Sequence, residues 1–172
     1  MMSSDSTRLT GMERQQQPLH RNARRVQEAL EAAGSAARVV AVESSTRTAQ
    51  EAAQSLGVDA GQIVKSLVFV ADDEPVLLLV AGDHRVDPNR AGRALNANSV
   101  KRADADMVRD ATGFPIGGVA PVGHPRPMRT VVDKSLERFD VIWAAAGTLN
   151  AVFPTSLDEL TALTNGTIAD LG

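Results

Sequence analysis

The chain has no cysteine and no tyrosine among its 172 residues, and it has only one tryptophan. Without cysteine it can have no disulfide, no thiolate zinc site, no iron–sulfur cluster and no cysteine nucleophile. Aromatic residues make up only 3% of the chain. This scarcity argues against a platform that binds single-stranded nucleic acid by base stacking, because such platforms need exposed rings.

The chain also lacks an excess of either charge. Its 18 Lys and Arg residues stand against 21 Asp and Glu residues, for a net charge of -3. Tight non-specific binding to DNA or to any phosphate backbone is therefore not expected, because its strength grows with the number of phosphates neutralised. No apolar run is long enough to span a membrane, and the start of the chain lacks a signal-peptide core. We therefore expect a cytoplasmic protein with no membrane partner.

Length and balance of residue types predict one globular domain. Residues 1–18 have few apolar side chains and no periodicity, and we expect them to form a flexible N-terminal tail. The single domain is then residues 19–172. Mixed strand and helix patterns without strict alternation predict a mixed sheet, curled toward a barrel, with helices around it.

Local patterns predict the individual elements. Helices are expected over residues 19–33, 48–56, 87–96, 104–111 and 156–163. Strands are expected over residues 38–42, 62–71, 75–81, 100–103, 130–132, 141–145 and 151–153. The strands 62–71 and 75–81 are close enough in sequence to form an antiparallel hairpin.

Lys65 lies in a strand that is largely apolar on both faces. It shares one face with Ile63, Leu67 and Phe69, because side chains alternate across a strand. Such a lysine either extends its ammonium group out past the strand end or provides a cation at the floor of a pocket. In a pocket it would bind an anion or a polarised carbonyl.

Residues 112–123 (TGFPIGGVAPVG) combine four glycines with two prolines. Consecutive backbone amides near Gly117 and Gly118 could bind an oxyanion or a phosphate, because glycine allows close approach of a ligand. A tight connection between elements is the equally weighted alternative. The segment lacks the lysine of a P-loop and does not match the dinucleotide-binding fingerprint.

The segment Gly147-Thr148-Leu149-Asn150 follows a predicted strand, where polar residues either contact a ligand or form a plain turn. The three histidines are far apart in sequence and form no H-E-x-x-H motif, so we predict no metal site. No G-x-S-x-G motif is present, which argues against a serine nucleophile.

Four segments then occur in a familiar order: residues 61–70 (GQIVKSLVFV), 81–87 (AGDHRVD), 112–123 and 129–133 (RTVVD). Together they resemble the YbaK/ProX family of free-standing aminoacyl-tRNA deacylases, related to the editing domain inserted in bacterial prolyl-tRNA synthetases. The resemblance spans most of the chain after the tail. It implies an α/β (α+β) fold with a mixed, barrel-like β-sheet surrounded by helices.

This family hydrolyses the ester that joins a wrong amino acid to the 3′-terminal adenosine of tRNA. The resemblance therefore implies trans-editing of a small amino acid such as Ala, Ser or Cys, with no metal, no cofactor and no protein nucleophile. Lys65 matches the family's strand lysine, and Gly117 begins its G-x-x-x-P motif; these are the expected catalytic residues. The expected substrate-binding residues are Ser45, Thr46, Gly118, Val119, Pro121, Gly147, Thr148 and Asn150.

Family members that clear cysteine tend to read G-x-R-G-L-D after the late glycine, whereas this chain reads GTLNAV at residues 147–152. The acidic residue is missing, which points toward Ala, Ser or another small amino acid. The implied partner is aminoacyl-tRNA, with an aminoacyl-tRNA synthetase as a second partner. Two other functions stay open: a non-catalytic module that binds aminoacyl-tRNA ends or a synthetase, and a small-molecule esterase.

Overall fold

A computed structural model describes residues 19–42 and 48–172. Within these ranges the chain forms five α-helices, and they are α1 (Arg21–Ala32), α2 (Ala49–Leu56), α3 (Pro88–Leu95), α4 (Ala105–Thr112) and α5 (Leu157–Thr164). Two 3₁₀ helices span Ala60–Gln62 and Lys134–Arg138. The strands are β1 (Val40–Ala41), β2 (Ile63–Ala71), β3 (Glu74–Ala81), β4 (Val100–Arg102), β5 (Arg129–Asp133), β6 (Ile142–Ala145), β7 (Ala151–Thr155) and β8 (Thr167–Ala169).

All eight described strands belong to one mixed sheet in the order β1-β7-β6-β2-β3-β5-β8. Strand β4 lies off this path and pairs with the end of β2. The pairs β2–β6, β3–β5 and β5–β8 are parallel, and the others are antiparallel. The expected mixed sheet with helices against it is confirmed, and its strand order is that of an open sheet with β1 and β8 at the edges.

Helices cover both faces of the sheet. On one face α1, α4 and α5 pack over alternate residues of the central strands, including Val68 and Leu77. On the other face α3 packs over Leu78, and α2 packs beside Trp143. The central strand β3 is fully buried from Val76 onward. This burial on both faces agrees with its nearly continuous apolar sequence.

Helix starts follow the capping residues in the sequence. The Thr48 hydroxyl accepts a hydrogen bond from the Glu51 amide at 3.1 Å, and Ser156 does the same for Glu159 at 3.1 Å. The Asp87 carboxylate caps α3 through the Asn89 amide at 2.9 Å. These side chains satisfy amides that the first helical turn leaves unpaired.

The predicted elements are present, with shifted ends. The β2–β3 hairpin is confirmed. Its two turn residues, Asp72 and Asp73, both have positive φ, as a type I′ turn requires. The strand expected over residues 38–42 contains only two residues. Strand β8 and the 3₁₀ helix Lys134–Arg138 were not predicted. The expected N-terminal tail lies outside the described residues.

Candidate functional site

A cavity of about 530 Å³ lies where the sheet has a gap beside β2. Strand β6 pairs with β2 only at Ile63 and Val64, and β4 pairs only with residues from Phe69 to Ala71. Residues 65–68 therefore have no neighbouring strand on that side among the described residues, and we call this stretch the strand gap. The cavity is large enough for a small organic ligand. Its described apolar lining includes Ala49, Ala52, Ile63, Leu67, Val119, Ala145 and Val152.

The backbone of Ser66 faces the strand gap. The neighbouring Val68 carbonyl accepts a hydrogen bond from the Ala103 amide at 3.2 Å, on the side away from β3. Alternate residues of a strand direct their backbone groups to the same side, so the amide and carbonyl of Ser66 also point away from β3. The Ser66 hydroxyl is buried and has no hydrogen-bond partner among the described residues. The cavity wall thus offers both a backbone donor and a backbone acceptor.

Lys65 lines the cavity at the start of the strand gap. Its ammonium group donates a hydrogen bond to the backbone carbonyl of His84. Burial lowers the pKa of the Lys65 ammonium, and the positive charges of Arg102 and Arg85 lower that pKa further. Asp83 and Asp133 act in the opposite direction without reversing the shift. The site therefore contains a partly buried cation that an additional anion would stabilise.

The loop that carries the His84 carbonyl is held by Asp133, whose side chain is fully buried. One carboxylate oxygen accepts from the Ala81 amide at 3.1 Å and lies 3.5 Å from His84 Nδ1. The other accepts from the Ser135 amide at 3.0 Å. Asp133 thereby connects the end of β3 to the start of a 3₁₀ helix.

The same loop has a second support at its surface. Arg138 donates two hydrogen bonds to the Asp83 carboxylate, at 2.8 and 3.0 Å. This bidentate pair lowers the pKa of Asp83. The loop is thus attached to the 3₁₀ helix through Asp83 and through the buried Asp133.

Gly117 lines the cavity. It belongs to residues 112–123, which we call the glycine-rich segment. The Gly118 amide donates to the Pro115 carbonyl at 3.0 Å, which closes a β-turn. Gly117 occupies the third position of this turn with φ of 87°, a conformation that a type II turn requires and that glycine adopts without strain. Because the Gly118 amide is used inside the turn, the two consecutive amides of the sequence hypothesis are not both available. Of these two amides, only that of Gly117 has no hydrogen-bond partner among the described residues.

The turn around Gly147 packs against the glycine-rich segment. Gly147 has φ of 94°, and its carbonyl accepts from the Asn22 side chain of α1 at 3.1 Å. A Cβ atom on Gly118 would come within 3.1 Å of the Thr148 backbone. A Cβ on Gly117 would come within 2.7 Å of the Leu149 side chain. The two segments that the sequence singled out are therefore in close contact.

The structure places the predicted site residues at different depths. Lys65, Gly117 and Val119 line the cavity, whereas Pro121 is buried outside its described lining. Gly118, Gly147, Thr148 and Asn150 also lie outside that lining. The Thr148 hydroxyl bonds the Asn150 side chain at 3.0 Å, so these two polar groups are used within their own turn. Ser45 and Thr46 lie outside the described residues.

Arg102, Ile116 and Trp143 are among the cavity-lining residues that the sequence did not assign to the site. Trp143 is the only tryptophan in the chain, and its position in β6 beside Ile63 brings it to the cavity. Ile116 is 57% exposed at the turn before Gly117. Arg102 reaches the cavity because β4 pairs with β2, a long-range pairing that no local pattern indicates.

The glycine-rich segment is stabilised by Phe114, which is fully buried. The Arg25 guanidinium lies 4.4 Å from the centre of its ring, and the His124 ring meets it edge-on at 6.1 Å. His124 Nε2 donates to the Ala120 carbonyl at 2.7 Å. Burial lowers the pKa of His124, and the Arg25 charge lowers it further, although the bond to Ala120 partly opposes the shift. These contacts fix the segment that carries Gly117.

Residues 19–42 and 48–172 contain neither a cluster of three or more side chains suited to bind a metal ion nor a helix long and apolar enough to cross a bilayer.

Comparisons with known proteins agree with this geometry. Residues 43–163 match the family model described as an aminoacyl-tRNA editing domain. The uncharacterized protein YwhH of Bacillus subtilis is 33% identical over 123 residues, covering 71% of this chain and 78% of that protein. A proline–tRNA ligase of Nitratidesulfovibrio vulgaris is 40% identical over 90 residues, covering 52% of this chain but only 16% of the ligase.

A solved structure of similar shape belongs to a candidate trans-editing enzyme for prolyl tRNA synthetase. It superposes with a TM-score of 0.85 at 46% sequence identity, and the match covers 90% of this chain and 98% of that one. The similarity therefore extends over both the sheet and the helices that surround the cavity.

Proposed function

This chain belongs to the aminoacyl-tRNA editing domain family, and on that basis we propose that it hydrolyses the ester of mischarged aminoacyl-tRNA. The observation that carries the proposal is that Lys65 and Gly117 line one cavity from two separate segments of the chain. One supplies a cation and the other a backbone amide at a turn. An ester with a nearby phosphate is a substrate that would use both groups.

Lys65 anchors the substrate in this proposal. An ammonium group has three donors, and the His84 carbonyl accepts one of them. The remaining donors can bind the phosphate of the terminal adenosine or the aminoacyl group. Because the His84 contact fixes the ammonium position before substrate arrives, little side-chain entropy is lost on binding.

Gly117 positions the reacting carbonyl. Its amide would donate to the carbonyl oxygen of the ester and stabilise the negative charge that develops there during attack. A water molecule, oriented in the cavity or by a ribose hydroxyl, adds through its oxygen to the carbonyl carbon. The ester oxygen then leaves with a proton, which gives a free amino acid and a tRNA with an intact 3′ end. No nucleophile from the protein is required.

The walls support a small amino acid as the substrate side chain. The cavity that Lys65 and Gly117 line has apolar residues in its wall, which include Ile63, Val119 and Val152. Ala, Ser and Cys are the candidates, and the absence of an acidic residue near Val152 favours Ala or Ser over Cys. A pocket of this kind discriminates by only about 1–3 kcal/mol per methylene, so a panel of substrates is needed.

We further propose that the reaction takes place in trans, in the cytoplasm, on tRNA charged by a separate synthetase. Support comes from the candidate trans-editing enzyme, which this chain matches over nearly its whole length. The match to the proline–tRNA ligase of Nitratidesulfovibrio vulgaris covers only 16% of that protein's length. That share is compatible with an editing activity. We do not extend the aminoacylation activity of the ligase to this chain.

The test is deacylation of a panel of tRNAs carrying Ala, Ser, Thr, Cys or Pro, by the wild type and by Lys65→Ala. Lys134→Ala is the matched control, because Lys134 is exposed and lies outside the described cavity lining. We expect selective cleavage of one mischarged tRNA, lost in Lys65→Ala and kept in the control. If the folded wild type cleaves none but still binds a non-hydrolysable aminoacyl-adenosine analogue, the protein is a binding module instead.

A further inference from the structure

Arg102 is a second cation in the wall of the cavity, and the proposed hydrolysis gives it no role. The register between β2 and β4 places Arg102 directly opposite Phe69. Its guanidinium carbon lies 5.8 Å from the centre of the Phe69 ring. An arginine above an aromatic face is held by the ring while its donors stay available. Arg102 is therefore supported at one end of the strand gap.

The charge of Arg102 is not neutralised by a carboxylate within residues 19–42 and 48–172. Other arginines in these ranges do have such partners: Arg90 bonds Asp170 at 2.6 Å and Arg138 bonds Asp83 at 2.8 Å. None of the described side chains that line the cavity is acidic. Arg102 is also the cation with the largest charge effect on the Lys65 pKa. Two cations in a cavity wall that has no acidic side chain among its described residues favour an anionic ligand.

We propose that Arg102 binds a phosphodiester of the RNA 3′ end, at the β4 end of the cavity. This inference rests on the proposed function, because that substrate carries phosphodiesters next to the ester to be cleaved. The guanidinium fork matches two phosphate oxygens. Lys65 and Phe69 are four residues apart in β2, or about 13 Å along the strand. Arg102 and Lys65 can therefore contact successive parts of one extended RNA chain.

The experiment compares Arg102→Ala with Lys101→Ala, its neighbour on β4. Lys101 is exposed and does not belong to the described lining, so it controls for general loss of positive charge. For the mischarged tRNA that the wild type deacylates, we expect Arg102→Ala to raise KM by about 10-fold with kcat nearly unchanged. Lys101→Ala should change KM by less than about 2-fold. Arg102→Lys should recover only part of the loss, because lysine lacks the fork.

Salt dependence gives a second readout of the same contact. The slope of log KM against log salt concentration should be smaller for Arg102→Ala by about 0.7, the amount expected for one lost contact to single-stranded phosphate. Equal effects of Arg102→Ala and Lys101→Ala on KM and on the slope would overturn the proposal. A fall in kcat at unchanged KM would overturn it too, because it would indicate displacement of β4.

Binding measured without catalysis separates this inference from the proposed function. The probe is a fluorescent, uncharged RNA that ends in adenosine, with inorganic phosphate as competitor. If the wild type cleaves no tRNA but binds the RNA in an Arg102-dependent manner, the function fails and the phosphate subsite stands. If the wild type deacylates a mischarged tRNA and Arg102→Ala leaves KM unchanged, the proposed function stands and the phosphate subsite at Arg102 fails. Displacement of the RNA by inorganic phosphate at equal concentration would assign the site to free phosphate, against the proposal.

Discussion

The ammonium group of Lys65 donates a hydrogen bond to the backbone carbonyl of His84, in the loop that follows β3. Because β2 pairs with β3 from Val64 to Ala71, this contact joins the cavity lysine to the end of its neighbouring strand. The position of the ammonium therefore depends on the position of that loop. Asp133 in turn accepts a hydrogen bond from the Ala81 amide, at the end of β3 where this loop begins.

Replacing Lys65 with Ala should abolish deacylation while the protein stays folded. We expect kcat/KM for the cleaved tRNA to fall by about 100-fold or more, since the lost group is a positioned charge at the reacting end. Stability should change by about 1 kcal/mol or less, because the lost ammonium group is only partly buried. Charged-tRNA hydrolysis and urea unfolding measure the two effects. Unchanged turnover of a tRNA that the wild type cleaves would show that Lys65 has another role.

Gly117→Ala tests the turn that presents the backbone amide. Alanine at positive φ costs about 1–2 kcal/mol, and its Cβ would lie 2.7 Å from the Leu149 side chain. Gly34→Ala is the matched control, since Gly34 has a similar φ of 79° with nothing within 4 Å of a Cβ atom. Gly117→Ala should lose at least as much stability as Gly34→Ala, but only Gly117→Ala should lose activity, by about 10-fold or more. Equal activity in both variants would mean that Gly117 is only a turn residue.

Local sequence patterns were sufficient to predict the elements around the site. The capping residues Thr48, Asp87 and Ser156 each start a helix, and the apolar runs of β2 and β3 form the expected hairpin. These features depend on residues that are close in sequence, so the pattern contains the necessary information. Strand β8 was missed because its first two residues are exposed and give no apolar alternation.

The walls of the cavity could be predicted only in part. Lys65 stands out because a charged residue in an apolar strand is unusual, and Gly117 stands out because residues 112–123 combine four glycines with two prolines. Arg102 and Trp143 reach the cavity through pairing of β4 and β6 with opposite ends of β2. Long-range register of this kind is set by the whole sheet. Nothing in residues 100–102 or 142–145 taken alone indicates it.

Asp133→Ala should destabilise the protein more than the replacement of any carboxylate residue at an exposed position. The carboxylate is fully buried and accepts from the amides of Ala81 and Ser135, which would lose their partners. A buried donor left unpaired costs about 1–3 kcal/mol, so we expect a loss of about 2–5 kcal/mol in the free energy of unfolding. Asp140→Ala, at an exposed residue, is the control and should stay within about 0.5 kcal/mol.

Activity distinguishes a positioning role of Asp133 from a purely structural one. Asp133→Asn keeps a carbonyl acceptor and should retain more stability than Asp133→Ala. If Asp133 sets the loop that binds Lys65, the folded Asn variant should still show a raised KM for the tRNA. A normal KM in the fully folded Asn variant would restrict Asp133 to stability alone.

The His124 ring should make stability fall as the pH is lowered through the range below 6.5. Burial holds the pKa of His124 in the folded protein below its ordinary value of 6.5, whereas the unfolded chain regains that value. Between the two pKa values the unfolded state binds more protons, so the free energy of unfolding rises with pH there. This contribution is complete above pH 6.5 and is lost as the pH falls toward the folded pKa. The loss reflects mainly the cost of burying a charged ring and, to a smaller extent, the cost of placing it beside Arg25.

His124→Gln isolates this contribution, because glutamine keeps a side-chain N–H for the Ala120 carbonyl but does not titrate. Urea unfolding of both proteins at pH 5 and pH 7 gives two pH dependences, and carboxylates contribute equally to each. We expect the wild type to lose more stability than the variant between pH 7 and pH 5. Parallel pH dependences in the two proteins would mean that the pKa of His124 is the same in the folded and unfolded states.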